Sequence, residues 1–292
     1  MFSEKTRQIK YDRESGASQL VLNALNLLRS FSEKIKHETR QRFVEDFSEF
    51  GYKIFEIRPN IAPIQNLVAQ IVYEVNILKD DNIDSVKRYI VTRIEEISRM
   101  SQMAINKSAQ FASTLIHNSD LVATCSLSST ICETLKSAVQ QGKSFKVLIA
   151  ESKSSDGKFS YGKIMASFLK SLKLQVEVFL DDMIYQNIPK TNCVLVGADS
   201  VFWDGSIING SPTYGVAVEA EEYNIPFYSV CETTKVNTLH FLGKNVGIRE
   251  GFDLIPANLI TKLVTEQGFL SKQRLLEIIK EKTKFYQIFK LE

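Results

Sequence analysis

The sequence predicts an α/β protein with a helical N-terminal domain over residues 1–118 and a doubly wound, mostly parallel, Rossmann-like sheet domain over residues 119–292. Apolar residues recur at helical spacing in the first part, and short apolar runs of strand length alternate with helical segments after Asp120. The chain has 292 residues, 44% of them hydrophobic, so it can bury cores of this size without metals or disulfides.

The N-terminal domain has the apolar periodicity of helices. Apolar residues three or four positions apart form one stripe in an early helix and another in a longer, later helix: Leu20, Ala24, Leu27, Phe31 and Ile35, then Val86, Ile90, Ile94, Ile97 and Ala104. Pro59 and Pro63 are expected to separate two helices, because proline disfavours helical geometry in the residue before it and suits a first turn. We expect the long helix to run from about Asp84, as its N-cap, to Leu115.

The C-terminal domain has the alternation of strands and helices that is typical of βαβ units. The strand-like runs are LVATCS, KVLIAES, VEVFLDD, CVLVGADSVF and PFYSVCE, and helical segments such as STICETLKSAVQQG, YGKIMASFLKSL and TYGVAVEAEEYN lie between them. This alternation predicts a parallel sheet covered on both faces through right-handed crossovers. Ligands bind such sheets beyond the carboxyl ends of the strands, so the residues there are functional candidates. The final segment, SKQRLLEIIKEKTKFYQIFKLE, is expected to dock as an amphipathic helix on the domain or a partner.

Composition narrows the possible partners and the location. Lys plus Arg is 36 and Asp plus Glu is 34, a formal net charge of +2 without a long run of one sign, so nucleic acid is not an expected partner. No apolar stretch reaches the roughly 18 to 20 uncharged residues of a membrane span. The charged opening segment differs from a secretion signal, and the 4 cysteines form no CxxC pair. We therefore expect a cytoplasmic protein, and the widely separated histidines predict no metal site.

Cys125 and Asp199 end two of the predicted strands and are candidates for chemistry. A helix is expected to begin shortly after Cys125, and a helix start favours a reactive thiolate, whereas the alternative is a small buried hydrophobe. A partly desolvated Asp199 would hold its proton near neutral pH and act as a general acid, whereas the alternative is an Asp that caps a turn. Cys132 and Cys193 are expected to be core residues.

Hydroxyl groups and one lysine near the strand ends are candidates for binding phosphate. Ser126 and Ser128 precede a predicted helix, whose free N–H groups and dipole favour an anion. Thr213 follows Pro212 at the start of another helix, although a plain turn explains this segment equally well. Lys235 is close to the end of a strand, where it either binds phosphate or lies in solvent.

The motifs, taken together, resemble one family. VATCSLSS, KVLIAES, LVGADSVFWDGSIINGSPTYGVAVEAEEYNIPFYSVCETTKV and FDLIPANLITKLVTEQG resemble segments of the alpha, beta and delta regulatory subunits of translation initiation factor 2B, of ribose-1,5-bisphosphate isomerase and of methylthioribose-1-phosphate isomerase. SGASQLVLNAL and RPNIAPIQNLV resemble helical segments of the same family. The resemblance implies that Cys125 and Asp199 are the catalytic pair of the isomerases, which the regulatory subunits usually lack. It also implies a homodimer or a larger closed assembly formed through the α/β domain.

Three departures from the isomerase motifs concern cationic positions. The isomerases carry Asn-Lys before Gly-Thr after the GAD strand, whereas Asn209 is followed here by Gly210. Their Glu-Thr-Arg-Pro is Glu151-Ser152-Lys153-Ser154, and their N-terminal Arg-Gly-Ala is Ser15-Gly16-Ala17. Because charge-assisted donors bind phosphate best, these changes are expected to weaken or alter recognition of a bisphosphate. A nucleoside monophosphate or a monophosphorylated sugar is then an alternative ligand.

Two functional hypotheses follow. The first is an aldose–ketose isomerase of a C1-phosphorylated pentose without a metal or redox cofactor, in which Asp199 protonates the ring oxygen and Cys125 moves a proton between C2 and C1. Phosphate would be held by hydroxyl groups and a lysine, and a sugar hydroxyl by an amide: Ser126, Ser128, Thr213 and Lys235, then Asn209. The second is a non-catalytic regulatory subunit that senses a phosphorylated sugar or nucleotide. The intact Cys/Asp pair favours the first hypothesis and the missing cations favour the second.

Overall fold

The computed structural model describes residues 2–12 and 14–289. Within these residues, a helical region is followed by strands that alternate with helices, which confirms the predicted fold class. None of the helices in this described part combines the length and the apolar character that crossing a bilayer requires.

The N-terminal region consists of helices only: α1 (Phe2–Tyr11), α2 (Ala17–Lys34), α3 (Arg40–Phe55), α4 (Ala62–Ile77) and α5 (Ile83–Ser113). The two prolines separate α3 from α4 as predicted, with Pro63 in the first turn of α4. The predicted N-cap of the long helix is wrong, because the Asn82 side chain accepts the hydrogen bond from the Ser85 N–H at 3.0 Å. Asp84 lies instead in the first turn, where its negative charge suits the helix dipole.

The α/β region contains ten strands and six α-helices among the described residues. The strands are β1 (Leu121–Thr124), β2 (Lys146–Ala150), β3 (Gln175–Phe179), β4 (Cys193–Val196), β5 (Ser200–Val201), β6 (Ile207–Gly210), β7 (Phe227–Val230), β8 (Phe252–Ile255), β9 (Lys262–Thr265) and β10 (Gly268–Phe269). The helices are α6 (Ser129–Gln140), α7 (Tyr161–Ser171), α8 (Ile184–Asn187), α9 (Thr213–Glu222), α10 (Thr238–Phe241) and α11 (Lys272–Tyr286).

The main sheet has the strand order β10-β9-β7-β4-β1-β2-β3 in the described chain, parallel except at the β10 edge. Alternate residues of β1 belong to different cores: Val122 packs with α6 and α7 on one face, and Ala123 packs with α9 and α11 on the other. Both faces are therefore covered, as the sequence predicted. The order reverses between β1 and β4, so the segments after these two strands border the crevice in which doubly wound proteins bind ligands.

A second, antiparallel sheet in the order β5-β6-β8 was not predicted. The run CVLVGADSVF was expected to be one strand, but the main-sheet strand ends at Val196 and β5 begins at Ser200. The Asp199 N–H donates to Ile208 O at 2.8 Å, so the chain changes partner at the aspartate. The second sheet therefore places Asp199 between the two sheets and Gly210 at the end of β6.

The two regions share packing across the predicted boundary at 118/119. α5 ends at Ser113 and β1 begins at Leu121, so this boundary lies in the connection between them. The core of the helical region also includes Phe202 and Tyr286 from the α/β part, and Tyr286 donates its hydroxyl to Asn66 Oδ1 at 2.7 Å. α11 thus docks on the helical region, while the division into two independent domains stays a prediction.

Candidate functional site

A cavity of about 200 Å³ lies between the helical region and the carboxyl ends of the sheet strands. Its charged lining residues are three cations and three acids within the described chain: Arg58, Lys153 and Arg249, then Asp12, Asp199 and Glu250. Ser126, Gly210 and Tyr161 also line it. We call this cavity the pocket. Its position matches the place where doubly wound sheets bind ligands.

Arg58 is the buried cation of the pocket. It follows α3 and is only 4% exposed, and its guanidinium donates to Ile9 O at 3.1 Å and to Asp12 O. Burial, with a further contribution from Arg249, lowers the pKa of Arg58 to about 10, although Asp12 and Asp199 oppose this shift. Arg58 therefore remains charged at neutral pH and is held in place by carbonyl groups at the end of α1.

Asp199 is the acid at the inner end of the pocket. Its backbone is fixed between the two regions, since its N–H donates to Ile208 O and its carbonyl accepts from Ala62 N at 3.2 Å. Burial raises the pKa of Asp199 above its ordinary value, and the nearby Glu232 adds to this shift, whereas Lys235 and Arg58 oppose it. A carboxyl group with a raised pKa that lines a pocket can donate a proton to a bound molecule near neutral pH.

Lys153 lies in the loop after β2, whose backbone is hydrogen-bonded to Asp181. The Asp181 carboxylate accepts hydrogen bonds from Ser152 N at 2.7 Å and from Lys153 N at 2.9 Å. Ser152 Oγ in turn accepts from Ser126 N at 2.6 Å, and both serines have positive φ, 50° and 64°. The loop therefore uses these N–H groups internally and presents the exposed Lys153 side chain to the pocket. Where the isomerase motif has an arginine, this chain keeps a cation.

Cys125 does not line the pocket. Its side chain is completely buried, and its Sγ lies 3.2 Å from Thr213 Oγ1. Thr213 Oγ1 donates to Gly210 O at 2.5 Å and accepts from Asn209 Nδ2 at 3.0 Å, so its remaining lone pair accepts from the thiol. Burial raises the pKa of Cys125 to about 12. The Cys125 cluster, formed by Cys125, Thr213 and Asn209, thus contains a protonated thiol next to the pocket residues Ser126 and Gly210.

The other predicted phosphate-binding residues lie at different depths. Ser126 lines the pocket, whereas Ser128 and Lys235 do not. Ser128 is the N-cap of α6, with its Oγ accepting from Ile131 N at 3.3 Å. Lys235 is 4% exposed, and its Nζ lies 4.0 Å from a Glu232 carboxylate oxygen, so the alternative of a solvated lysine is wrong. Their roles, and those of the Cys125 cluster, stay predictions.

Two pocket arginines were missed by the sequence analysis. Arg58 directly precedes Pro59 in RPNIAPIQNLV, a segment whose sequence indicates a helix break and a family resemblance but no ligand-binding residue. Arg249 lies in the irregular segment before β8, and its approach to the pocket depends on the pairing of β8 with β6. Nothing in the local sequence predicts that pairing. The prediction that Cys132 and Cys193 are core residues is confirmed, because both are buried.

The fold and the pocket define an α/β protein of the doubly wound class with a ligand crevice beneath a helical region. The sequence matches the model of the Initiation factor 2 subunit family over residues 13–251, and the chain belongs to this family.

The proteins to which this chain is similar have two kinds of name. It is 24% identical over 302 residues to ribose 1,5-bisphosphate isomerase of Methanocaldococcus jannaschii, covering 96% of this chain and 95% of that protein. It is 28% identical over 280 residues to a putative translation initiation factor eIF-2B subunit 2-like protein of Pyrococcus furiosus, covering 91% and 95%. The crystal structure of translation initiation factor eIF-2B from Pyrococcus horikoshii OT3 aligns with a TM-score of 0.79 and 26% identity, covering 92% of this chain and 96% of that one. The family thus includes proteins named as isomerases and proteins named as initiation factors.

Proposed function

We propose that this protein is an aldose–ketose isomerase of a C1-phosphorylated pentose. The observation that carries the proposal is the position of Asp199, a carboxyl group with a raised pKa in a pocket that also contains Arg58 and Lys153. An acid and two cations are the groups that a sugar phosphate needs, because the cations neutralise phosphate and the acid protonates a sugar oxygen. The proposal includes a cytoplasmic location and no metal or redox cofactor.

Arg58 and Lys153 neutralise the charge of the substrate in this proposal. They belong to separate elements, one after α3 and one after β2, and both line the pocket. Asp12 competes little with the substrate phosphate for these cations, because its carboxylate accepts hydrogen bonds from the Glu14 and Ser15 N–H groups, each at 2.9 Å. Ser126 offers its hydroxyl from the end of β1.

The reaction requires cleavage of the ring bond between C1 and oxygen, together with proton transfers. Asp199 gives its proton to the ring oxygen as the bond between this oxygen and C1 breaks, and a proton then leaves C2. A proton is added to C1, and the C2 hydroxyl loses its proton to become the ketone and restores the acid. Oxidation at C2 balances reduction at C1, so the reaction needs no external oxidant or reductant.

Cys125 moves the proton between C2 and C1 in this proposal. Its thiol now donates to Thr213 Oγ1 behind the pocket, so Thr213 must turn away or the substrate must displace Ser126 before the sulfur is reached. A pKa of about 12 also means that the thiolate base forms only once the substrate changes its surroundings. This requirement makes Cys125 the weaker half of the proposed pair.

The buried thiol favours one alternative function. A regulatory subunit that senses a phosphorylated sugar or nucleotide needs the pocket cations but no accessible sulfur. In that case Cys125 serves as a core residue, consistent with its complete burial and with its membership of the apolar core on the α9 face of the sheet.

The decisive experiment combines calorimetric binding with product analysis for ribose 1,5-bisphosphate. Wild type is expected to bind the sugar and to form the ketose, whereas Asp199→Asn should bind it within about 3-fold and convert it at least about 100-fold more slowly, the scale of a lost general acid. Asp204→Asn is the matched control. Its carboxylate caps the nearby turn by accepting from Ser206 N at 2.9 Å, and it does not line the pocket. A wild-type protein that binds the sugar tightly but never converts it would refute the isomerase and leave the sensor.

A homo-oligomer formed through the α/β region is also proposed. In support, α9 exposes two large side chains one turn apart, Tyr214 at 48% and Val218 at 37%. Exposed apolar groups that lie close together on one helix are frequent at interfaces between subunits. Light scattering after size-exclusion chromatography measures the assembly size.

A further inference from the structure

The segment between α10 and β8 brings a second arginine to the pocket. Arg249 is partly buried and lines the same cavity as Arg58. Its Nη1 and Nη2 each lie 3.4 Å from Lys10 O, at the end of α1, so its position is set by one long contact. Arginine keeps its charge at any physiological pH and presents a planar set of donors that fits phosphate.

Strand pairing places Arg249 near Gly210. β6 is antiparallel to β8, with Gly210 opposite Phe252, and Ser211 N donates to Gly251 O at 2.9 Å. Arg249 is two residues before Gly251, and both Gly210 and Arg249 line the pocket. The arginine therefore stands at the part of the pocket that the end of β6 forms.

Gly210 occupies the position at which the isomerase motif has a lysine. A Cβ atom on Gly210 would overlap Ser126 Oγ, so any side chain here requires the serine hydroxyl to move. The hydroxyl group of Ser126 thus occupies the space in which a side chain of residue 210 would begin. A cation for this part of the pocket has to come from another segment, and Arg249 is on the segment paired with β6.

Arg58 and Arg249 are close enough to repel each other. After burial, Arg249 is the largest influence that lowers the pKa of Arg58. An anion bound between two guanidinium groups relieves such repulsion and forms charge-assisted hydrogen bonds with both. The acid next to Arg249, Glu250, is exposed and offsets its charge only weakly.

We infer that Arg249, together with Arg58, binds the C1 phosphate of a doubly phosphorylated pentose and so determines the preference for two phosphates over one. The inference rests on the proposed binding of a sugar phosphate in the pocket. Lys153 is left for the other phosphate, on the loop after β2. The charge that the isomerase motif carries at the end of β6 is supplied here by a different segment of the chain.

The test compares calorimetric affinities for ribose 1,5-bisphosphate and ribose 5-phosphate. Arg249→Gln is expected to weaken bisphosphate binding by about 10- to 100-fold, the scale of lost charge-assisted hydrogen bonds, and monophosphate binding by less than about 3-fold. Arg249→Lys should recover part of the loss. Arg99→Gln, which removes the same charge from an exposed position on α5 outside the pocket, should change neither affinity.

A second variant, Glu250→Gln, tests the inference even if Arg249→Gln fails to fold. Glu250→Gln removes an acid from the same segment without touching the contact between Arg249 and Lys10, and it should strengthen bisphosphate binding by about 2- to 5-fold. An equal loss of both ligands in Arg249→Gln would mean that Arg249 only docks α1, and the inference would be wrong while the proposed function survives. A wild-type protein that binds neither sugar phosphate would overturn both.

Discussion

Asp199 and Cys125 were predicted from the same kind of position, just beyond a strand of the sheet, yet they lie in different surroundings. Asp199 lines the pocket, between the main sheet and the second sheet, whereas Cys125 is enclosed with Thr213 and Asn209 behind it. The end of a strand therefore selects which edge of the sheet a residue occupies. Hydrogen bonds made by neighbouring side chains decide whether that residue is accessible to a ligand.

The largest expected effect is a loss of turnover on changing Cys125, and its absence would show that Cys125 is only a core residue. In an isomerase, Cys125→Ser should lower turnover of ribose 1,5-bisphosphate by at least about 100-fold, because a hydroxyl replaces the group that moves the carbon-bound proton. Binding measured by calorimetry should change little. Cys132→Ser, in the opposite core, is the control and should leave turnover intact while lowering the free energy of unfolding by about 1 to 3 kcal/mol.

Retained turnover in Cys125→Ser would show that the thiol takes no part in the reaction. Asp199 would then be the single catalytic residue of the predicted pair.

The next effect concerns the hydrogen bonds that enclose the thiol. Thr213→Val leaves Asn209 Nδ2 and the Cys125 thiol without their acceptor and should lower the free energy of unfolding by about 1 to 3 kcal/mol. Denaturant unfolding measures this loss. Thr114→Val is the matched control, because Thr114 is exposed and its hydroxyl donates to Phe111 O at the end of α5. Equal stability losses in the two variants would mean that the Cys125 cluster is not specially stabilised.

A smaller effect on stability is expected when the pocket acid Asp199 is replaced. This change should raise stability, whereas Thr213→Val should lower it. A folded-state pKa that is raised above the unfolded value gives stability that is present at acid pH and is lost as the pH rises through the folded pKa. Burial raises the pKa of Asp199, so its ionised carboxylate at pH 8 makes the fold less stable than a neutral side chain at this position would.

Asp199→Asn should therefore melt at a higher temperature than wild type at pH 8 and show little gain at pH 4. Thermal unfolding at the two pH values checks this difference. A variant that is less stable than wild type at pH 8 would show that the ionised carboxylate is satisfied by its neighbours, against the role of a general acid.

The smallest effect on the pocket is expected from the outer surface of α9. Thr213 at the start of this helix belongs to the Cys125 cluster, whereas Val218 is exposed on its outer face. Val218→Asp should dissociate the proposed assembly in light scattering while changing ligand affinity by less than about 2-fold. Lys262→Asp, at an exposed position on β9, is the control. A large fall in turnover on dissociation would indicate that assembly, rather than substrate alone, gives access to Cys125.

The sequence predicted the parts of the fold that depend on local periodicity. The helical region and the parallel strands are revealed by apolar spacing, and prolines separated α3 from α4. The second sheet was missed because β5 has only two residues and because β6 also pairs with β8, which is distant in the chain. The motif around Asp199 therefore looked like one long strand.

The candidate site was predictable only in part, for a related reason. Ser126 and Asp199 follow strands of the main sheet and reach the pocket, as the edge of that sheet requires. Arg58 and Arg249 come from connections whose positions depend on α1 and on β8, so no spacing in the sequence relates them to the pocket. Charge that lies in irregular segments cannot be located until the elements around it have been packed.

The contacts of Asp181 have a consequence for the affinity of the pocket for a ligand and for the motions that binding requires. Ordering one residue of a flexible loop costs roughly 1 to 2 kcal/mol, and a ligand that must order its own loop loses that much affinity for each residue. The Asp181 carboxylate already holds Ser152 and Lys153 through their N–H groups, acting as a permanent internal anion. In the proposed function, Lys153 therefore binds phosphate without ordering its own backbone, and only its side chain has to move, on the picosecond to nanosecond scale of exposed side chains.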